Sequence, residues 1–223
     1  MNLMTNRVRK SGTWGAAAVF ALLLLAACKP TQFEADSNVP APLIDRIPVV
    51  VAVHIPKEFR EKVYAEKRSS GSYSISLGKA QTDGFLRMMQ AMFTRVVMVD
   101  SVDAAAGTDA EIRGVLVPVL DDYAFVTPTD SGTSSYAATL KYTVSLYSPR
   151  GELTASWTFT GYGSQPSTGF PGSGDDALKA ATSRAMRDAA AKLVAEFRDQ
   201  AIARGLLPQA GALAPVEVTP PLP

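Results

Sequence analysis

Two hydrophobic periods organise the chain. PVVVAVHI, from Pro48 to Ile55, is a short β-branched run bounded by prolines and predicts a buried strand. SYSISL, 72 to 77, sets Tyr73, Ile75 and Leu77 on one face and serines on the other, the alternation of a half-buried strand. The charged stretch between them, KEFREKVYAEKRSSG, reads as a helical turn or as a strand that returns through Ser69-Ser70-Gly71 into 72–77; the hairpin is the preferred reading. The period then becomes helical. Phe85, Met88, Met89, Met92, Phe93 and Val96 fall at i, i+3, i+4, i+7, i+8 and i+11 and form one stripe. A Phe/Met surface of this kind packs on a sheet or, in part, lines an apolar groove, because methionine adapts to irregular partners. VVMVD, 96–100, and AEIRGVLVPVL, 110–120, predict two more strands, with Pro118 pointing to an edge or a bulge.

The longest alternation follows. Tyr136, Ala138, Leu140, Tyr142, Val144 and Leu146 share one face, and Leu153, Ala155, Trp157 and Phe159 share the corresponding face of a return strand. Between them Ser148-Pro149-Arg150-Gly151 has the chemistry of a turn, with proline setting φ and glycine permitting positive φ. The opposite face is rich in hydroxyls, as expected of an antiparallel sheet covered on one side only. GYGSQPSTGFPGSGDD breaks the alternation and reads as a surface loop leading to a last helix. That helix carries the stripe Leu178, Ala181, Ala185, Ala189, Leu193 and Phe197, starts near Ser173–Asp176 and stops at Gly205 and Pro208. Strand, hairpin, helix, two strands, long hairpin and helix add up to an α+β fold: a two-layer sandwich, with a mixed, largely antiparallel sheet carrying two amphipathic helices on one face.

The ends of the chain change the picture. Residues 1–13 contain Arg7, Arg9 and Lys10 and no acidic residue, and Trp14 to Ala27 is an uncharged, largely apolar run of fourteen residues. A membrane-crossing helix needs roughly 20 apolar residues. A basic start, a short apolar run and small residues before a cut site instead describe a secretory signal peptide. Leu25-Ala26-Ala27-Cys28 resembles the bacterial lipobox, which implies cleavage before Cys28 and lipidation of its thiol. The organisation that follows is a signal peptide over 1–27, an extended tether over 28–47 and a single α+β domain over 48–205. A Pro-rich disordered tail over 206–223, with five prolines and the single charge Glu217, completes it.

Charge and cysteine usage then exclude several classes. The formal charge is +1, and loss of the three leader cations leaves the mature chain near −2. A basic face for nucleic acid is therefore not expected. Cys28 is the sole cysteine, and once acylated it leaves no thiol for disulfide, metal or nucleophilic chemistry. Multiple acyl chains hold a protein stably at a bilayer. In Gram-negative lipoproteins an aspartate after the cysteine typically retains the protein at the inner membrane. Lys29 at that position therefore implies the outer membrane, periplasmic face.

Taken together, the lipobox leader, the proline-bearing tether, the Phe/Met helix running into Val96-Val97-Met98-Val99-Asp100, the tyrosine-bearing hairpin with its Pro149-Arg150-Gly151 turn and the Ala-rich last helix form a pattern. Over about residues 48–200 it resembles the small bacterial envelope lipoproteins of the YajG type and, more loosely, the LptE-like lipopolysaccharide-assembly lipoproteins. The resemblance implies a non-catalytic, lipid-anchored accessory or assembly factor that binds an envelope protein partner or a lipid or glycan ligand. It transfers no individual functional residue.

Candidate chemistry is sparse. His54 is the one histidine, so any Ser-His-Asp arrangement would have to use it. Ser76-Leu77-Gly78-Lys79 matches S-x-x-K by letter, but Ser76 alternates within a strand rather than opening a helix. Asp121-Asp122 reads as a solvated turn and Asp175-Asp176 as a helix start, since adjacent carboxylates rarely converge on one substrate. No cofactor or metal is expected. The competing class is a cell-envelope hydrolase with an unidentified carboxylate or serine site. The two irregular stretches, 125–135 and 161–174, flank the open end of the long hairpin. They nominate Phe125, Tyr162 and Phe170 as contact residues.

Overall fold

The computed structural model describes residues 30–36, 39–168, 171–203 and 206. In chain order the elements are β1 (Thr31–Glu34), β2 (Ile47–Val53), α1 (Lys57–Arg60), β3 (Val63–Arg68), β4 (Gly71–Ser76), α2 (Gly78–Met92) and β5 (Phe93–Met98). There follow α3 (Ala105–Thr108), β6 (Ile112–Val126), α4 (Pro128–Ser131), β7 (Ser135–Tyr147), β8 (Leu153–Pro166) and α5 (Gly174–Ala203). The expected signal peptide lies outside the described residues, as does the Pro-rich tail apart from Leu206.

Five strands make the large sheet in the order β5-β2-β6-β7-β8, parallel from β5 to β6 and antiparallel from β6 to β8. Its inner face is covered by α2, α5 and a second, three-stranded sheet of order β1-β4-β3. The α+β sandwich is therefore as the periodicity implies, but the 63–76 hairpin belongs to a sheet of its own. Both readings of 57–71 are realised: α1 is a single helical turn, and β3 then pairs antiparallel with β4. β1 adds parallel to β4, with Thr31 opposite Tyr73, and Ala35 and Val39 are buried in the core. The stretch expected as an extended tether thus contributes a strand and, with Ile47, three core residues.

Three further differences have local causes. α2 ends at Met92, and Phe93 and Val96 belong to β5, which pairs parallel with β2; burial of a strand and of a helix stripe are alike in apolar character. β6 does not end at Asp121-Asp122. The register shifts between Leu120 and Asp122, so the inward positions change from Leu116 and Leu120 to Tyr123 and Phe125, and both aspartates are left exposed. Pro118 sits beyond Leu116, the last β6 residue paired with β2, where a missing N–H disturbs no ladder. Finally, β8 runs on through Gly161, Gly163 and Gln165, which continue the inward positions of Trp157 and Phe159.

One core joins the layers. Phe197 of α5 meets Phe93 edge-on at 5.3 Å and Trp157 at 5.4 Å, and each such buried ring stabilises the fold by about 1.5–3 kcal/mol. The tight β7–β8 turn has Gly151 at φ 89°, the positive value that its sequence anticipates. Among the described residues no helix is long and apolar enough to cross a membrane.

Candidate binding slot between the long helices

α5 has two working sides. Toward β8, Ala181, Ala185 and Ala189 recur at every fourth residue and are buried. They lie so close to the strand that a Cβ at Gly161 would overlap the Ala185 carbonyl oxygen, and one at Gly163 the Ala181 carbonyl oxygen. One residue before or three after each alanine, a second row, Arg184, Asp188 and Lys192, reaches the outer edge of β8. Arg184 donates to Ser164 O, the Tyr162 N–H donates to Asp188 at 2.8 Å, and Lys192 donates to Thr160 O at 2.6 Å. Lys192 also pairs with Asp188 at 2.8 Å. These three side chains take the place of a sixth strand and blunt the edge. The hydrogen bond from Lys192, with that from the Tyr162 N–H, holds the Asp188 carboxyl below its usual range.

Toward α2 the same helix is not closely met. Residues 39–47 cross from the small sheet to β2 as a strap over the two helices. Val39 is buried, with its carbonyl accepting from Arg87 at 2.9 Å, and Ile47 is buried at the other end. Between these anchors Leu43 and Ile44 are exposed. Beneath the strap is an open slot of about 420 Å³ walled by Met88 of α2 and by Ala190, Ala191, Val194 and Ala195 of α5, with Arg187 at its border. Deeper, between Phe59, Phe85, Tyr142, Phe159 and Met186, lies a small apolar cavity of about 40 Å³. Its polar groups are engaged: Gln81 donates to Phe59 O at 2.6 Å and accepts from Tyr142 at 3.4 Å. Burial pushes the Tyr142 phenol well above its ordinary value. The Phe/Met stripe therefore does both things open to it. Met89 and Met92 are sealed in the core, while Met88 lines both the deep cavity and the slot.

The nominated contact residues separate. Phe125 is not a loop residue but an inward position of β6, 3% exposed, packed edge-on to Tyr64 at 6.0 Å and to Tyr73 at 4.8 Å. The Arg68 guanidinium lies 4.0 Å from its ring and pairs with Glu66 at 2.7 Å and Asp130 at 2.8 Å, so this cluster pins the small sheet to the end of β6. The hydrogen bond from Arg68, helped by that from Tyr64, lowers the Glu66 carboxyl, and those from Thr127 lower Asp130. Tyr162 is 65% exposed, but on β8 rather than in a loop, with Lys192 Nζ 5.6 Å from its ring. Phe170 and Cys28 lie outside the described residues. The two irregular segments do meet at the open end of the hairpin, where Ser167 donates to Ser134 O from both its backbone and its side chain.

The groups nominated for catalysis are dispersed. His54 follows β2 with its ring Nδ1 3.3 Å from Val99 O. Asp121 accepts from Thr143 at 2.6 Å on the outer sheet face, in a bulged strand rather than the expected turn. Asp176 and Ser173 cap α5 reciprocally. Lys79 pairs with Asp83 at 2.6 Å, and Ser76 closes β4 instead of opening a helix. Among the described residues no three His, Cys, Asp or Glu side chains gather as metal ligands.

No family model and no curated protein matches the chain. Several solved structures are similar. A Xanthomonas campestris protein of the DUF330 family aligns with 15% identity over 78% of this chain and 99% of its own, at a TM-score of 0.44. The hypothetical protein CT253 from Chlamydia trachomatis aligns with 10% identity over 70% of this chain and 99% of its own, at 0.43. Lipoprotein GNA1162 from Neisseria meningitidis aligns with 12% identity over 69% and 97%, at 0.28. Likenesses this distant pass no role or location to this chain.

Proposed function

We propose that the chain is a non-catalytic lipoprotein of the cell envelope, anchored through Cys28 at the periplasmic face of the outer membrane. In this reading it serves as an accessory or assembly factor by binding an apolar ligand, an acyl chain of a lipid, between α2 and α5. The anchoring rests on the basic leader, the apolar run and Leu25-Ala26-Ala27-Cys28, and the choice of membrane on Lys29. The binding reading rests on one observation: an apolar strap and an apolar floor face each other across about 420 Å³ without meeting, while Leu43 stays exposed. Folded proteins close-pack their apolar surfaces, so an unfilled apolar slot of this size fits a guest. The scattering of His54, Asp121 and Asp176, each with its own partner, favours binding over hydrolysis.

The test is titration of the purified domain with a fluorescent fatty acid, with Ala191→Trp as the slot-filling control. Saturable binding that the substitution weakens supports the reading. A wild-type chain that shows no saturable binding, or binding that Ala191→Trp leaves untouched, overturns it. Anchoring is read separately, by incorporation of labelled fatty acid into wild type and its loss in Cys28→Ser.

A further inference from the structure

The distance between anchor and fold is set by β1. Thr31 is already in place: it pairs with Tyr73 across the small sheet and donates to Asp175 at 3.0 Å. Ala35, just beyond β1, is tied to Ser76 O at 3.0 Å, and Asp36 pairs with Lys179 at 3.3 Å. Only three residue steps separate Cys28 from Thr31, and three steps reach at most about 11 Å even when fully extended.

That reach is short beside the domain. β6 alone, from Ile112 to Val126, extends roughly 45 Å at about 3.3 Å per residue, and the 30 residues of α5 extend about 45 Å at 1.5 Å each. Thr31 lies at one extremity of both. It adjoins the start of α5 through Asp175, and the β3–β4 turn at 69–71 is two residues from its partner Tyr73. Arg68 ties that turn to Asp130 of α4, which follows the end of β6. The Ser134–Ser167 contact closes the same end. The β7–β8 turn around Arg150 and the start of β6 lie at the opposite extremity.

We infer that β1 fixes how the domain stands on the membrane: the end formed by 69–71, 127–134, 167–168 and 171–176 faces the lipid headgroups, with α5 upright and its first turn lowest. The inference rests on the lipid-anchor reading above. Its occupant is the surface of the bilayer that holds Cys28, because on the lipid-anchor reading the mature chain begins at Cys28, three residue steps before Thr31. The described residues of this end form short turns rich in serine, threonine and aspartate, which suit the headgroup surface rather than the hydrocarbon. The slot, bordered by residues 190–195, is then held roughly 20–30 Å above the leaflet by the rise of α5.

The experiment uses the full lipidated chain in vesicles of phosphatidylethanolamine and phosphatidylglycerol doped with an acceptor-labelled headgroup. Donor dye is placed at Ser70→Cys, Thr133→Cys or Arg150→Cys, since the acylated Cys28 does not react. Energy transfer to the headgroups is expected to be about threefold higher from Ser70→Cys and Thr133→Cys than from Arg150→Cys, reflecting the length of the long strands. Inserting about fifteen Gly/Ser residues between Lys29 and Pro30 is expected to level the three, because a flexible linker of that length frees the orientation. Equal transfer from the unmodified chain, or stronger transfer from Arg150→Cys, overturns the inference while co-flotation and fatty-acid labelling leave the anchor standing. A chain that neither co-floats nor takes up label overturns the anchor, and the inference with it.

Discussion

The two sides of α5 use the same kind of residue to opposite ends. Against β8, alanines at 181, 185 and 189 meet glycines at 161 and 163, and small on small brings backbone against backbone with nothing between. On the side toward α2, alanines at 190, 191 and 195 lie under a strap that does not descend to them, and small side chains leave a slot. What differs is the partner. A strand in a sheet is rigid and can be matched; the strap 40–46, with Pro40 and Pro42 and no ladder to join, spans between Val39 and Ile47. Small residues therefore mark close packing where the opposing backbone is fixed, and vacancy where it is bridged.

The sharpest way to break this contrast is at the matched side. Gly163→Val puts a branched side chain where even a Cβ overlaps the Ala181 carbonyl, and the obstacle is backbone rather than a movable side chain. Overpacking of this severity costs about 3 kcal/mol or more. Urea unfolding monitored at Trp157 is expected to show the loss in the midpoint. A change under about 1 kcal/mol would mean that α5 does not lie on β8 as closely as the glycines require.

Next in size is the row that blunts the β8 edge. Replacing Arg184, Asp188 and Lys192 together by alanine removes three bonds to strand backbone, at about 0.5–1.5 kcal/mol each before allowance for their solvent exposure. The uncovered edge is expected to pair between molecules, so sedimentation should show association that rises with concentration and is absent from wild type. Loss of stability without association would leave the row a tether for α5 and nothing more.

At the unfilled side the expected effect is smaller in stability and larger in binding. Ala191→Trp occupies the slot from an exposed helix position, so unfolding should move by no more than about 0.5 kcal/mol. Affinity for the fatty-acid probe should fall about tenfold, equivalent to about 1.4 kcal/mol. Equal losses of stability and affinity would point to a disturbed core instead of a filled slot.

The course of these two sides was unequally legible in the amino-acid pattern. Alternation located β7 and the first half of β8, and the 3.6 period located α2 and α5, because each buries one continuous face. Gly161 and Gly163 read as a loop because they keep the inward period of Trp157 and Phe159 while lacking any hydrophobic side chain; the alanine stripe of α5 is their counterpart, but nothing local joins the two. Asp121-Asp122 concealed a bulge for a similar reason, since adjacent exposed carboxylates look alike in a turn and in a strand that changes parity. β1 reads as tether because four residues with half-buried alternation carry little signal without their partner strand. The slot itself depends on where the strap fails to touch, which periodicity does not encode. The adaptable Phe/Met stripe hints at a groove, and Met88 is its member that reaches the slot.

The smallest effect also concerns the matched side, and it is one of pH. The Asp188 carboxyl, ordinarily near 3.8, is held lower in the folded chain by the Lys192 hydrogen bond and the Tyr162 N–H. A depressed carboxyl contributes stability that is complete above its unfolded value and is lost as pH falls through the folded one. Unfolding should therefore become easier below about pH 4, and Asp188→Asn should lack its share of that dependence, its gap to wild type closing as pH falls through the folded value. Glu66 and Asp130 are lowered by their own partners in the Arg68 cluster, so the substitution should flatten the acid limb only in part. If wild type and Asp188→Asn ran parallel from pH 7 to 3, the carboxylate would owe nothing to its place over β8. The edge would then be closed by Arg184 and Lys192 without it.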